Sequence, residues 1–468
     1  MITRADIVER VQEWGLAEHV VEKDYVLGWL LWGIGADPTL GQRWVFKGGT
    51  CLKKCYIETY RFSEDLDFTI LPGGPLHERD VLPLLRTVLE RLSEASGLDF
   101  SVAEPQIRMR PSGNAAEGRV YYRGPRNAPG AARVKLDLDA AERVVRPPVL
   151  RAIAHPYPDA LPARGTVRCY SFEEVFAEKL RAMGQRGRPR DLYDIVNLFR
   201  RNDLRLHPEL IRDVLKAKCD VRAVDVPTFE TVAAAPHRGE LESEWANMLG
   251  HQLPALPPLE QFLDELAALF AWLQGEAELE PLTALAIESG EDENWTPPPI
   301  AASWGQGVPL EPVRFAATNH LCVDLVYNGS VRRIQPYSLR RTRDGNLVLH
   351  ALRHDNREHR SYRVDRMQRV QVSTEPFRPA YAIEFSSAGP LAAPLAPAIG
   401  GHRAPRATPT RSTRSPRSGV IYVIECPYCH KSFRRQTRDT AMRAHKTPEG
   451  WPCPGSPGRG YLVDTRYS

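Results

Sequence analysis

The stretch "EDLDFTI" sets Asp65 and Asp67 alternating with Leu66, Phe68 and Ile70. That period of two is the pattern of a half-buried strand, and it sends both carboxylates out of the same face. Two like charges so placed repel unless a cation sits between them. Hard divalent cations take carboxylate oxygens, and a magnesium pair stabilises both the entering and the leaving oxygen of a phosphoryl transfer. Just upstream, "KGGTCLKKCY" offers Gly48 and Gly49 at a tight turn that opens a helix, followed by Thr50. The amides and partial positive charge of such a helix start suit a triphosphate. One short stretch therefore reads as holding phosphate and metal together.

A two-metal site needs a third carboxylate. In "RVKLDLDA", Val134, Leu136 and Leu138 face one way while Lys135, Asp137 and Asp139 face the other. Either aspartate can serve, and Asp137 is favoured because it is more central in the strand. Further on, "SFEEVFAEKLRAM" starts a helix with Ser171 and Glu174 as a capping box. Lys179 falls on the apolar stripe of Phe172, Phe176 and Met183, where a lysine either snorkels outward or is held for a purpose. The next helix, "RDLYDIVNLF", offers Asp191 and Asp194, with Asp191 favoured as the group that orients Lys179 against a phosphate. The tail "CPYCHKSFRRQTRDTAMRAHKTPEGWPCPG" carries Cys426, Cys429, His445 and Cys453, with His430 as a substitute, at a spacing that suits tetrahedral structural zinc. So small a unit needs its metal to fold.

The elements that position these groups follow from composition along the 468 residues, which are too many for one ordinary domain. Residues 1–275 read as mixed α/β. Residues 276–311 are acidic and then Pro-rich, a linker. Residues 312–380 alternate like strands, with Asn328-Gly329 and Asp344-Gly345 as hairpin dipeptides. Residues 381–420 form a basic, disordered linker, and 421–468 a Cys/His unit. The net charge of +4 is unevenly spread: Arg403, Arg406, Arg411, Arg414 and Arg417 have no acid among them, which suits an anionic partner or a solvated linker. Nothing at the N-terminus reads as a signal peptide, and the apolar run from Tyr25 to Ala36 is too short to span a bilayer. With eight cysteines in no disulfide framework, a cytoplasmic setting without membrane attachment is expected.

Together "EKDYVLGWLL", "FKGGTCLKKCY", "RFSEDLDF", "AEKLRAM" and "RDLYD" resemble the AbiEii/AbiGii-type nucleotidyltransferases, toxins of type IV toxin–antitoxin and phage-defence systems. The resemblance spans roughly residues 15–200 and implies a polymerase-β-like α/β (α+β) core with helical additions. It implies transfer of nucleotides from NTP to RNA, at the acceptor end of tRNA, with translation blocked. It also implies a cognate antitoxin, often a winged-helix DNA-binding protein. On this resemblance Gly49 and Thr50 contact phosphate and Asp65 and Asp67 bind metal. Gly48, Ser63 and Lys179 are further candidate nucleotide contacts, and Asp137, from the strand pattern, is the favoured third carboxylate for two magnesium ions. Lys179 and Asp191 are the downstream catalytic pair. Threonine stands at position 50 where the superfamily commonly has serine, and the hydroxyl is kept.

Residues 315–376 resemble a WYL domain, a small Sm-like β-barrel that senses ligands, although Leu347-Val348-Leu349 replaces the namesake triad. Arg353, Arg363 and Arg366 are its candidates for an anionic ligand such as a nucleotide or a nucleic acid end. In the zinc unit, Lys431, Arg434, Arg435, Arg438 and Arg443 favour phosphate contact. Two rival readings stand beside the RNA transferase. One is a nucleic-acid-binding regulator with the transferase domain as scaffold, and the other is transfer to a protein acceptor.

Overall fold

The computed structural model describes residues 2–57, 61–162, 165–201, 204, 207–277, 282–286, 288, 290–292, 310–385, 420–426, 431–435, 439–446, 453, 458–459 and 461–467. The chain forms two compact units, residues 1–397 and 398–468. In the first, helices α1 (Arg4–Trp14), α2 (Glu18–Ala36) and the single turn α3 (Leu40–Arg43) lead to β1 (Trp44–Lys47). The short α4 (Gly48–Cys51) runs straight into a π-helical turn, Leu52–Tyr56. Then come β2 (Asp65–Ile70), α5 (Glu78–Ser96), β3 (Gln106–Met109), β4 (Ala115–Tyr122), β5 (Ala132–Asp139), β6 (Val149–Ala152) and β7 (Thr166–Cys169). Helices α6 (Phe172–Arg186), α7 (Pro189–Phe199), α8 (Pro208–Arg222), α9 (Phe229–Ala233), α10 (Ala235–Leu249), α11 (Leu259–Asp264) and α12 (Leu266–Gln274) follow.

The seven strands make one mixed sheet in the order β3-β4-β5-β2-β1-β7-β6. β2 runs parallel to β5 and β1 parallel to β7, while β1 and β2 are antiparallel. Alternation sets the faces: Leu66, Phe68 and Ile70 of β2 and Val134, Leu136 and Leu138 of β5 are buried in the core. α5 presents Val81, Leu85, Val88, Leu89 and Leu92 at helical spacing to the same core and stops at Gly97, whose φ of 73° is left-handed. α2 is apolar along most of its length and largely buried, with its first turn, at Glu18 and His19, reaching the surface. Its Asp24 forms a fully buried ion pair with Lys54 at 2.7 Å, and Tyr157 donates to the same carboxylate at 2.9 Å. Breaking such a pair typically costs about 3–5 kcal/mol, because one charge is left uncompensated. The pair joins two of the motif stretches and fixes the π-helical turn against α2. Cys169 at the end of β7 meets Cys51 and Cys55 in the core at that turn.

α6 corrects the expected capping box. Ser171 Oγ accepts from the Glu174 amide at 3.3 Å, but the Glu174 carboxylate does not reach back. It accepts instead from the amides of Val145 and Arg146 and pairs with Lys218 at 2.9 Å, so it ties the β5–β6 connection to α8.

The rest of the first unit is α13 (Leu310–Thr318) with β8 (Leu321–Tyr327), β9 (Ser330–Arg341), β10 (Leu347–Arg353), β11 (His359–Arg363) and β12 (Met367–Pro376). These strands form an antiparallel sheet in the order β11-β10-β9-β8-β12. Asn328 and Gly329, both at positive φ, make the two-residue hairpin between β8 and β9, and Gly345 supplies the positive φ before β10. Part of the stretch expected to be a linker lies on this sheet: Arg340 donates to the carbonyls of Leu285 and Ala286, and Glu291 meets His350 at 2.5 Å. α7 reaches the same domain through Tyr193, whose hydroxyl donates to Asn319 Oδ1 at 2.8 Å. No helix among the described residues is long and apolar enough to cross a membrane.

The second unit, described by itself, contains β13 (Val420–Glu425), β14 (Ser432–Arg435), β15 (Ala441–Met442), β16 (Gly458–Arg459) and β17 (Tyr461–Tyr467). Its three-stranded sheet has the order β14-β13-β17.

Candidate active site

Register brings the acidic residues together. Across the parallel pair, Asp67 of β2 stands opposite Asp137 of β5, and Asp65 stands opposite Lys135. On the other side of β2, Asp67 faces Lys47 at the end of β1. Adjacent strands lie about 4.8 Å apart, so Asp65, Asp67 and Asp137 occupy one small patch of a single face. Burial raises the Asp67 carboxyl to about 6, with Lys47 and Lys179 pulling it down and Asp137 and Asp65 pushing it up. Asp65 is raised too, first by burial and then by Asp137, against the pull of Lys135. Two carboxyls raised in this way, with the oxygens of Asp137 on the neighbouring strand, fit a hard divalent cation such as magnesium.

The glycine turn lies directly on this patch. A Cβ at Gly48, whose φ is +80°, would stand 2.1 Å from Asp67 Oδ2. At Gly49 it would stand 2.5 Å from Arg61 Nη2 and 3.2 Å from Ser63 Oγ. Only glycine allows so close an approach of backbone to strand. Thr50 is buried, and its hydroxyl donates to the Asp65 carbonyl at 2.5 Å. That hydroxyl therefore pins the turn to β2.

Of the two aspartates weighed in β5, Asp139 accepts from the Ala141 amide at 2.7 Å and from Arg222 at 3.0 Å. It is committed to ending the strand. Asp137 is held by Lys135 at 2.8 Å and Arg110 at 2.5 Å, beside Asp67.

Lys179 lies 2.6 Å from Asp194 and 3.7 Å from Asp191. The closer partner is thus Asp194, while Asp191 is gripped by the Arg186 fork at 2.7 and 2.9 Å. Asp194 also receives both arms of Arg61, at 2.7 and 2.9 Å. Although burial works against the charge, Arg61 and Lys179 hold the Asp194 carboxyl well below the usual range. Arg61 precedes β2 by a few residues, so this network locks α6 and α7 to the acidic strand. Spacing leaves Lys47 and Arg61 unmarked and offers Asp194 only behind Asp191. Lys47 and Arg61 lie inside the motif stretches, and their roles come from cross-strand register and long-range pairing. Behind Lys47, burial raises the Glu178 carboxyl, but Lys47, Lys218, Arg181 and Lys179 hold it at about 2.

With this geometry in place, sequence comparison decides the family. The nucleotidyl transferase AbiEii toxin family of type IV toxin–antitoxin systems matches residues 29–269. The chain belongs to that family. It is a nucleotidyltransferase of a toxin family. Residues 310–372 match the WYL domain. Among solved structures the chain is similar to MenT4, nucleotidyltransferase toxin Rv2826c from Mycobacterium tuberculosis H37Rv, at 23% identity and a TM-score of 0.44. That likeness covers 60% of this chain and 91% of the other. No curated protein matches.

In the WYL domain, Val348 and Leu349 at the namesake triad are buried in the sheet core. Arg353 pairs with Asp355, and Arg363 pairs with Asp365 and donates to Asn346 Oδ1. In the second unit, one ligand atom each of Cys426, His445 and Cys453 lie within 4.8 Å of one another. The two sulfurs are 3.6 Å apart, and His445 Nδ1 is turned to the Arg443 carbonyl at 3.0 Å. Cys429 and His430 lie outside the described residues.

The raised Asp67 carboxyl gives a stability prediction. Because its folded value exceeds the ordinary 3.8, the stability it contributes is present below about pH 4 and lost as pH rises through about 6. In chelator, Asp67→Asn should therefore be more stable than the natural chain by roughly 1–3 kcal/mol at about pH 8, with the difference shrinking at about pH 4. Urea unfolding at both pH values measures this, and a destabilised variant at the higher pH would refute the electrostatic reading.

Proposed function

We propose that this enzyme transfers a nucleotide from an NTP to RNA, with the acceptor end of tRNA as substrate, and so blocks translation in a type IV toxin–antitoxin or phage-defence system. The observation that carries the reading is the convergence of Asp65, Asp67 and Asp137 on one strand face under a glycine turn that touches Asp67. In the reaction an acceptor 3′-hydroxyl oxygen bonds to the α-phosphorus, the bond to the bridging oxygen of the β-phosphate breaks, and pyrophosphate leaves. Asp65, Asp67 and Asp137 would hold two magnesium ions, which when bound supply charge stabilisation to the entering and leaving oxygens. Gly48, Gly49 and Thr50 shape the backbone that receives the triphosphate, with Ser63 beside them. Lys179, oriented by Asp194 and Asp191, offsets triphosphate charge. We assign the acceptor proton to Asp137, which lies on the flank of β2 away from the turn.

Family membership supports a cognate antitoxin, for which a winged-helix DNA-binding protein encoded alongside is the partner proposed here. The WYL domain is assigned an anionic ligand, a nucleotide or a nucleic acid end, for which Arg353 and Arg363 would exchange their aspartate partners. Arg366 is the third candidate. Cys426, His445 and Cys453, with Cys429, are assigned to structural zinc, since a buried thiolate and imidazole cluster is what such an ion takes.

Two measurements test these assignments. Incubation with magnesium, each labelled NTP and total tRNA should place label on tRNA with the natural chain and none with an Asp65→Ala/Asp67→Ala double variant. Label on protein would move the acceptor, and no label at all would favour a nucleic-acid-binding regulator. Elemental analysis of the full chain should find one zinc ion, lost in Cys426→Ser/Cys453→Ser, and a zinc content unmoved by that change would refute the site.

A further inference from the structure

The polar face of the sheet continues beyond the acidic patch in a regular ladder. On β4 and β5, Glu117 stands opposite Asp137, Arg119 opposite Lys135, and Tyr121 opposite Arg133. Each rung is two residues from the last, so Arg133 lies about 13 Å along the strand from Asp137. Here the sheet, α2 and the loop after β4 enclose an open cleft of about 360 Å³, lined by His19, Lys23, Tyr121, Arg126 and Arg133 among others. That volume lies in the range that holds a small ligand.

Three observations say what the cleft takes. Its charge is mainly positive: Lys23 and Arg126 line it beside Arg133, with Glu22 the one carboxylate among the lining residues. Lys23 pairs with Glu64 at 2.5 Å, and Arg126 leans on Glu18 and Glu22 at 3.3 and 3.6 Å. Arg133 is exposed and makes no ion pair among the described residues. Second, Tyr121 is half-buried at the cleft and offers a ring for stacking. Cations that track a phosphate backbone, beside an aromatic platform, are how proteins bind single-stranded nucleic acid. Third, the position is set by the chemistry. In-line displacement puts the attacking oxygen and the leaving pyrophosphate on opposite sides of the α-phosphorus. The glycine turn lies at the end of β1, on one flank of the acidic strand. β5 and β4 lie on the other flank, the side left for the acceptor if the triphosphate sits at the turn.

We propose that the cleft beside Tyr121 and Arg133 holds a base and phosphate of the RNA acceptor, one nucleotide or more upstream of the reacting 3′ end. This deepens the RNA-transfer reading above and rests on it. Tyr121 stacks the base, Arg133 contacts a phosphate, and Lys23 links the cleft to the start of the acidic strand through Glu64. The triphosphate, on the opposite flank, touches neither residue.

The test uses the full chain and a fluorescent single-stranded RNA oligonucleotide ending in a 3′-hydroxyl, with affinity read by anisotropy. Tyr121→Ala should weaken binding by roughly tenfold while Tyr121→Phe stays within about twofold, since phenylalanine keeps the stacking face. Arg133→Ala should flatten the salt dependence by roughly one phosphate contact, a slope change of about 0.7. Full affinity in Tyr121→Ala, or no binding by the natural chain, would overturn the subsite. Failure is separable from that of the transfer reading. RNA binding through Tyr121 with no label transferred would strike the reaction and support the cleft, whereas labelled RNA with Tyr121 indifferent would do the reverse.

Discussion

Three carboxylates crowded on two neighbouring parallel strands repel one another, and much of the transferase domain is built around that repulsion. Asp67 has Asp137 on one side and Lys47 on the other. Lys135 sits beside Asp65 and Asp137, and the charge of Lys179 is felt at Asp67. These cations moderate the field, but burial first, and then Asp137 and Asp65, leave Asp67 raised to about 6. Such an unrelieved patch is costly to a folding chain, and it is the state a hard divalent cation would relieve. Stability given up at a site in this way is commonly the mark of function.

Holding the patch in place requires rigid neighbours. The turn that touches Asp67 is fixed from behind by Lys54, buried against Asp24 of α2, and from the front by the Thr50 hydroxyl on the Asp65 carbonyl. Arg61 and Lys179 share Asp194, so one buried carboxylate ties the segment entering β2 to helices α6 and α7. A shift of any of these parts disturbs the distance between turn and carboxylates. Such placement is where much of the rate of a phosphoryl transfer comes from.

The sequence shows the acidic strands clearly because alternation needs only neighbours along the chain: Asp65, Asp67 and Asp137 fall on one face by period alone. The hairpin glycines Gly329 and Gly345 are legible for the same local reason. What spacing cannot show is who stands opposite whom. Lys47 reaches Asp67 through strand register, and Asp194 outranks Asp191 as the partner of Lys179 through the arrival of Arg61 from a distant loop. The Glu174 side chain looks like half of a capping box, yet the amides of Val145 and Arg146 compete for it and win. Likewise, the acidic and then Pro-rich composition of residues 276–311 reads as a linker. Pairing of Glu291 with His350 and Arg340 places part of it on the WYL-domain sheet.

The central claim is that Asp65 and Asp67 bind divalent metal together with the nucleotide. Its most direct test is equilibrium binding of Mn²⁺, as a substitute for Mg²⁺, with a nonhydrolysable NTP analogue present, followed by electron paramagnetic resonance of the free ion. Tight binding by the natural chain should be lost in Asp65→Asn/Asp67→Asn while the fold survives. Equal Mn²⁺ binding by the two proteins would contradict it.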